Sequence, residues 1–474
     1  MDGLSQRSAS PRAVLVIVCA AVVLASLDLF IVNVALPQMA RDFGDRSLGS
    51  LSWVLNAYAI VYAALLVVFG RLADRHRRDR AFLLGVAVFV AASAACGAAD
   101  GVAMLIAFRA VQAAGAALLT PTSLGLILAS AEPERRHSAV RAYTAVGGAA
   151  AALGPVIGGL LVAVSWRWVF LVNVPVGIAA LIAGRRWLPR VPGEGVGAPD
   201  LLGASLITAA VGAITLGLVN GGSWGWDSAA TLAALAGGAL ALGGFALHNA
   251  HARQPLIERA LLEVRAFTGA CAVALWFSAA FGAMLLSRVL WSQDVWHWSA
   301  LLTGLTIAPG PIMVPLFAFL VAGRLIARFG PGPVIAAGCA VFAAGSLWWA
   351  LDVGLAPDYA GEMLGGILLT GIGVGLTLPT LIATGAASLP PQAFATGSGV
   401  VNMVRQLGLA VGVAIFLAVL GAPGSPLAAL DAYRRAWLVI AGLSAAGGLI
   451  SVFALGSRRP RAAPARPAEA LAER

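Results

Sequence analysis

The sequence predicts an all-α integral membrane protein of about fourteen transmembrane helices, arranged as two six-helix bundles with two helices inserted between them. Three observations carry that prediction. Of 474 residues, 60% are hydrophobic and 11% charged, whereas a soluble chain carries roughly a quarter charged residues. The apolar residues come in long blocks with no polar helix face, and each block is close to the ~20 residues that cross a hydrocarbon core as a helix. The charged residues between the blocks are distributed with a strong sidedness.

In chain order the blocks fall at 13–37, 50–70, 81–99, 102–128, 142–164, 168–184, 201–220, 230–248, 267–289, 299–322, 333–350, 360–383, 395–421 and 433–456. All 31 basic residues are Arg, and about 23 of them lie on the side that holds the N-terminus. About five lie on the other, and Arg109, Arg288 and Arg405 fall inside blocks. Counted this way, the positive-inside rule puts both termini in the cytoplasm. The net charge of +10 therefore reports topology, and no nucleic-acid partner is expected. The division that follows is a tail at 1–12, a first bundle at 13–190, a two-helix insert at 201–248, a linker at 249–266, a second bundle at 267–456 and a tail at 457–474. An Ala- and Gly-rich chain that uses only Arg suggests a bacterium of high GC content, hence a bacterial plasma membrane.

An internal repeat supports two related halves. Pro121 in the fourth block is followed after 33 residues by Gly154, and Pro379 in the twelfth after 33 residues by Gly412. Gly70-Arg71-Leu72-Ala73 after the second block is echoed by Gly323-Arg324-Leu325-Ile326 after the tenth. Paired repeats around a central site are a common transporter plan.

Asp28 is the only charge between Val14 and Leu36, and a carboxylate there costs at least a few kcal/mol unless a partner or a wet cavity receives it. Asp28 lies about nine residues from the outer end of its block, and Arg109 about nine from Asp100 at the outer end of its own. At 1.5 Å per residue both are roughly 13 Å deep, so the two can pair if their helices are neighbours. Such a pair is open to three readings: a permanent buried salt bridge, a solvated pair lining a cavity, or a switch. In the last, burial favours the protonated acid, the guanidinium favours the carboxylate, and helix movement trades one for the other. Asn402, Arg405 and Gln406, spaced three and four apart, share one face of the thirteenth block, which is expected to look inward on a substrate cavity. Ala150, Gly154 and Gly158 form a stripe of small residues that permits close helix approach, and Pro155 can bend that helix. Trp166, Trp168 and Phe170 with Arg167 read as an interfacial anchor, as do Trp224, Trp226, Trp296 and Trp298.

Several motifs resemble the fourteen-helix drug:proton antiporters of the major facilitator superfamily. They are Leu27-Asp28 through Pro37 in the first helix, Gly70-Arg71 through Arg80 in the loop after the second, Arg109 through Gly115 in the fourth, Gly154-Pro155 through Gly159 in the fifth, and Trp166 through Gly177 leading into the sixth. The resemblance implies a major-facilitator-type fold and alternating-access antiport that exports lipophilic drugs or antibiotics in exchange for protons. It implies Asp28 and Arg109 as the proton-coupling pair, with Asn33, Gln112, Asn402, Arg405 and Gln406 as cavity residues. It also implies a conformational latch at Gly70, Arg71, Asp74, Arg75 and Arg78, and an antiporter motif at Gly154, Pro155, Gly158 and Gly159. The sequence departs from the family pattern at Phe30, usually Thr, at Ala113, and in the loop, where Arg77 replaces a glycine and Asp79 a basic residue. An exporter of an endogenous metabolite or amino acid on the same fold, or a non-transporting membrane sensor, stays open as an alternative.

No Walker loop is present, so ATP is not the direct energy source, and no catalytic triad or metal-ligand spacing occurs. Cys19, Cys96, Cys271 and Cys339 stand singly in separate blocks and read as small packing residues. The expected partners are the lipid bilayer, protons and a drug-like small molecule; no cofactor is expected and no enzyme activity.

Overall fold

The computed structural model describes residues 10–44, 48–132, 136–192, 199–389 and 394–456. Most of the two expected tails, with Arg46 and Arg135, lies outside the described residues. Fourteen long helices build the fold: α1 (Pro11–Phe43), α2 (Leu48–Arg75), α3 (Arg78–Gly97), α4 (Val102–Ser130), α5 (Arg136–Val164), α6 (Trp168–Trp187), α7 (Leu201–Trp224), α8 (Ala229–His251), α9 (Arg265–Val295), α10 (Ala300–Phe329), α11 (Pro331–Asp352), α12 (Tyr359–Gly385), α13 (Phe394–Leu420) and α14 (Pro426–Leu455). Among the described residues thirteen are long and apolar enough to cross a membrane; α5, only partly described, is the fourteenth. All are antiparallel to their chain neighbours, so one end of the molecule collects the arginine-rich loops and the other is nearly free of them.

Local chemistry sets the ends of these helices. The first turn of a helix leaves backbone N–H groups without partners, and side-chain oxygens of Asp200, Ser228, Ser299 and Ser425 accept from Gly203, Thr231, Leu302 and Ala428 at 2.8–3.2 Å. Pro331 and Pro426 open α11 and α14, where the missing N–H costs nothing. Gly44, at φ 65°, closes α1. Helix α10 is not regular: Pro309 and Pro315 divide it, and a π turn at Ala318–Ala322 follows, since each internal proline removes a backbone hydrogen bond.

Helices α1–α6 pack into one bundle and α9–α14 into the other, with α7 seated against α2 and α13 and α8 packed on α7. The weak internal repeat is reproduced in three dimensions. Gly154 of α5 sits against α1, where a methyl group would come within 2.7 Å of Phe30 Cβ. Gly412 of α13 sits against α9, where a methyl group would collide with the Ala279 carbonyl. Each half therefore uses a glycine at the same place to bring its fifth helix onto its first.

Both bundles meet tightly at the end opposite the arginine-rich loops. There α5 packs on α10 and α2 on α13, Gln293 donates to the Val34 carbonyl at 3.1 Å, and Val34, Val289 and Ile307 form a small buried cluster. Toward the arginine-rich end the halves separate around a cavity. The interfacial anchor expected of Trp166 and Phe170 is not what forms. Both are fully buried; Trp166 donates to Asp42 Oδ2 at 2.8 Å and packs on Phe43, stapling the α5–α6 corner to α1. Trp296 is likewise buried, donating to the Gly354 carbonyl. Trp168, Trp224 and Trp226 do project outward.

Candidate functional site

Asp28 of α1 is 1% exposed and sits in a cluster to which α2, α3, α4 and α6 also contribute. Its Oδ2 receives Arg109 Nη1 of α4 in a buried ion pair. Its Oδ1 accepts from Gln112 Nε2 at 2.9 Å and from Asn173 Nδ2 of α6 at 3.3 Å. Gln112 also donates to Ser93 Oγ of α3 at 2.8 Å and accepts from Arg109 Nη1 at 2.7 Å. Arg109 also donates to the Val54 carbonyl of α2 at 3.1 Å and lies against the Tyr58 ring, 4.1 Å from its Cζ, a stacking that guanidinium favours; its Nη2 has no hydrogen-bond partner among the described residues. A buried carboxylate needs its charge matched and its lone pairs filled, and here α2, α3, α4 and α6 all contribute.

Sequence reasoning found Asp28 and Arg109 and their matching depth. It misassigned Gln112, expected to line the substrate cavity; Gln112 is wholly buried, locked between Asp28 and Ser93. It gave no role to Asn173, Ser93 or Tyr58. Asn173 stood inside the Trp166–Gly177 motif, which was the available signal; the structure places it at a break in α6, after Val172.

The large cavity, about 430 Å³ in volume, is of the size that takes a drug-sized molecule. Val22, Ser26 and Phe30 of α1, Tyr62 of α2, Thr120 of α4 and Tyr143 of α5 form one wall. Arg288 of α9, Thr370 of α12 and Asn402, Arg405 and Gln406 of α13 form the other. Asn402, Arg405 and Gln406 thus come together on the cavity, with Asn402 Oδ1 accepting from Arg405 Nη1 at 2.8 Å. Tyr62 donates to Thr120 across the first wall at 3.1 Å. Asn33 lies elsewhere, on a separate cavity of about 40 Å³ bordered also by Asn56 and Arg109.

The antiporter motif holds two surfaces at once. A methyl group on Gly158 would come within 2.9 Å of Ile31 on α1, and one on Gly159 within 2.7 Å of the Ala300 carbonyl on α10. The Pro155 carbonyl faces Gly304 of α10, where any side chain would collide. Helix α5 is therefore wedged between α1 of its own half and α10 of the other.

Around the expected latch the described residues make these contacts. Arg71 reaches Glu258 in the linker at 3.3 Å. The two departures from the family loop pair with each other: Arg77 Nη2 meets Asp79 Oδ2 at 2.6 Å and Arg77 Nε meets Asp79 Oδ1 at 3.2 Å. That bond stabilises charge on the Arg77 guanidinium, raising its pKa, and Asp79 stands at the start of α3, where an acid is favoured. The Arg78 N–H donates to the Val191 carbonyl, and its side chain lies over Gly125 of α4. Gly70 rests on Pro121. The Asp74 side chain lies outside the described residues.

Two bundles of membrane-length helices, closed at one end and parted at the other around a mainly apolar cavity that carries a few polar groups, define a membrane transporter. The chain belongs to the Major Facilitator Superfamily, whose sequence profile matches residues 18–413. The cephamycin export protein of Amycolatopsis lactamdurans is 37% identical over 457 residues, covering 93% of this chain and 91% of that one. The methylenomycin A resistance protein of Bacillus subtilis is 34% identical, covering 87% and 89%. The tetracenomycin C resistance and export protein of Streptomyces glaucescens is 33% identical, covering 87% and 75%. Among solved structures, a peptide transporter crystallised in complex with sulfate superposes with a TM-score of 0.68 over 93% of this chain and 94% of that one at 16% identity, a likeness of fold.

Proposed function

We propose that the protein exports lipophilic, drug-like molecules across a bacterial plasma membrane in exchange for protons, with Asp28 as the proton carrier. The observation that carries this is the Asp28–Arg109 pair: an ionisable carboxylate buried at mid-membrane, matched by one guanidinium on a neighbouring helix. The names of the export and resistance relatives support the cargo class. With the arginine-rich end taken as cytoplasmic, both termini are cytoplasmic and the cavity faces the cytoplasm, as for a transporter loading its cargo.

The chain's own residues supply a cycle. Protonating Asp28 removes the charge that holds Arg109, and the 40 Å³ cavity beside Arg109, bordered by Asn33 and Asn56, has room for the water that would relay the proton. Once the pair loosens, α1 is free to shift against α4. Because Gly154 and Gly158 leave no slack between α1 and α5, α5 moves with it, and α5 is also the wedge that seals the far end against α10. Titration at Asp28 is thereby coupled to opening at Gly159 and Gly304. The Arg71–Glu258 pair ties α2 to the linker ahead of the second half and would break and reform in the cycle.

The test is dye efflux from proteoliposomes with an imposed pH gradient. The expected result is gradient-driven efflux that Asp28→Asn abolishes while the variant still binds the dye. Gradient-driven efflux persisting in Asp28→Asn overturns the assignment.

A further inference from the structure

Among the described residues the large cavity is lined by two guanidiniums and no carboxylate. Its remaining ionisable side chains among the described residues are the phenols of Tyr58, Tyr62 and Tyr143; Asp28 and Arg109 are both buried outside it. Arg288 is 3% exposed, and its Nε has no hydrogen-bond partner among the described residues. No carboxylate among them pairs with it; its neighbours include the Trp349 ring, 5.6 Å from Cζ, Gly310 and the Tyr359 phenol. Arg405 donates to Asn402, but its Nε is also unpartnered, as is Gln406 Oε1 beside it. Burying a cation without a counter-charge is costly, and an intramembrane arginine that no protein carboxylate neutralises stands ready for a charge brought from outside.

The two guanidiniums both belong to the second half. Arg288 lies toward the closed end of the cavity and Arg405 nearer the arginine-rich mouth. The facing wall offers Phe30, the tyrosines and Thr120, with Phe281 and Met284 between. That arrangement suits a molecule with an aromatic or lipophilic body and one acidic group, and it offers a cation aromatic faces but no counter-charge among the described residues.

Resting on the reading of this cavity as the transport site, we infer that the cargo is a lipophilic anion, its carboxylate held by Arg288 with Arg405 as the second contact, and that lipophilic cations are poor cargo. Arginine suits the task because its planar fork meets a carboxylate through two parallel hydrogen bonds.

Fluorescein and rhodamine 6G share a xanthene body and carry opposite charge. Their binding to the full-length protein in phosphatidylcholine nanodiscs, followed by fluorescence polarisation, separates the possibilities. Fluorescein is expected to bind at least tenfold tighter. Arg288→Gln should weaken it by about tenfold or more, the scale of a hydrogen bond to a charged group, without weakening rhodamine 6G, and Arg288→Lys should restore part of the loss. Arg405→Gln should produce a smaller loss in the same direction, which tests the site independently if Arg288→Gln folds poorly. Equal or tighter binding of rhodamine 6G, or unchanged fluorescein binding in both Gln variants, overturns the inference. So does displacement of fluorescein when phosphatidylglycerol replaces phosphatidylcholine, which would assign the guanidiniums to lipid phosphate. Charge-selective binding with no gradient-driven efflux would leave this inference standing and sink the proton-coupled cycle; rhodamine 6G efflux without fluorescein efflux would do the reverse.

Discussion

Each half of the molecule buries arginine at mid-membrane, and the two halves treat it in opposite ways. In the first, Arg109 is neutralised within the protein by Asp28, bonded to Val54 and Gln112, and stacked on Tyr58. In the second, Arg288 and Arg405 face the cavity and pair with no carboxylate among the described residues. One half thus pairs its charges internally, where the proposed proton would rearrange them, and the other leaves its charges facing the cavity, where the proposed cargo would meet them. Structural pseudo-symmetry at Gly154 and Gly412 makes the contrast sharper: the same helix packing carries two different electrostatic tasks.

The largest test of that contrast is stability. Arg109→Gln leaves Asp28 buried without its counter-charge and should cost about 3–5 kcal/mol, the range for breaking a buried pair from one side. Arg288→Gln removes no protein partner and should cost less than about 1 kcal/mol or stabilise slightly, as surrendering an unpaired buried charge does. Thermal unfolding of both in detergent reads this directly, and equal losses would break the comparison. Asp28→Asn combined with Arg109→Gln should recover part of the Arg109→Gln loss, with a coupling energy of about 0.5–3 kcal/mol.

Next in size is the wedge. Gly304→Leu puts a side chain where the Pro155 carbonyl sits, and overpacking of this kind costs about 1–3 kcal/mol. The variant should lose efflux and expose a cysteine placed at Val34 to a membrane-impermeant thiol reagent; continued protection of that cysteine would show that α5 and α10 do not form the seal. Asn173→Ala removes one of the donors to Asp28 and should cost about 1–3 kcal/mol, whereas Asn402→Ala, on the cavity wall of the other half, should barely change unfolding.

The smallest effects belong to the surface. Glu258→Ala breaks a pair whose side chains are 17% and 47% exposed, worth about 0–1 kcal/mol, and should alter turnover more than melting. Asp200 caps α7. Burial pushes its carboxyl up, but the N–H groups of Gly203 and Leu256 and the His248 ring outweigh that and hold it below the usual value of 3.8. A group depressed in the folded state lends stability above its unfolded pKa and loses it as pH falls through the folded one. Melting of the wild type should therefore decline below about pH 4, and Asp200→Asn should flatten that part of the curve.

Much of this was legible in the chain. Long apolar blocks gave the helices because hydrocarbon offers the backbone no other partner, and the equal depth of Asp28 and Arg109 followed from counting residues. Gln112 was legible as polar but not as part of the Asp28 cluster, because its bonds to Asp28 and Ser93 depend on how α1, α3 and α4 are rotated about their axes. Arg288 was visible as an intramembrane charge and passed over for the same reason. Trp166 and Phe170 read as interfacial from their position near a helix end, yet the corner they occupy folds back onto α1.

Composition and patterning by themselves determined the helical class, the number of crossings and the end at which the arginines gather. They also showed that three arginines and one aspartate deep inside the blocks, away from their ends, needed an explanation. Only the tertiary structure decided which of those arginines has a partner and which faces the cavity. Depth along a helix is a one-dimensional quantity that residue counting supplies. Pairing depends on azimuth and on the choice of neighbour, which packing alone sets.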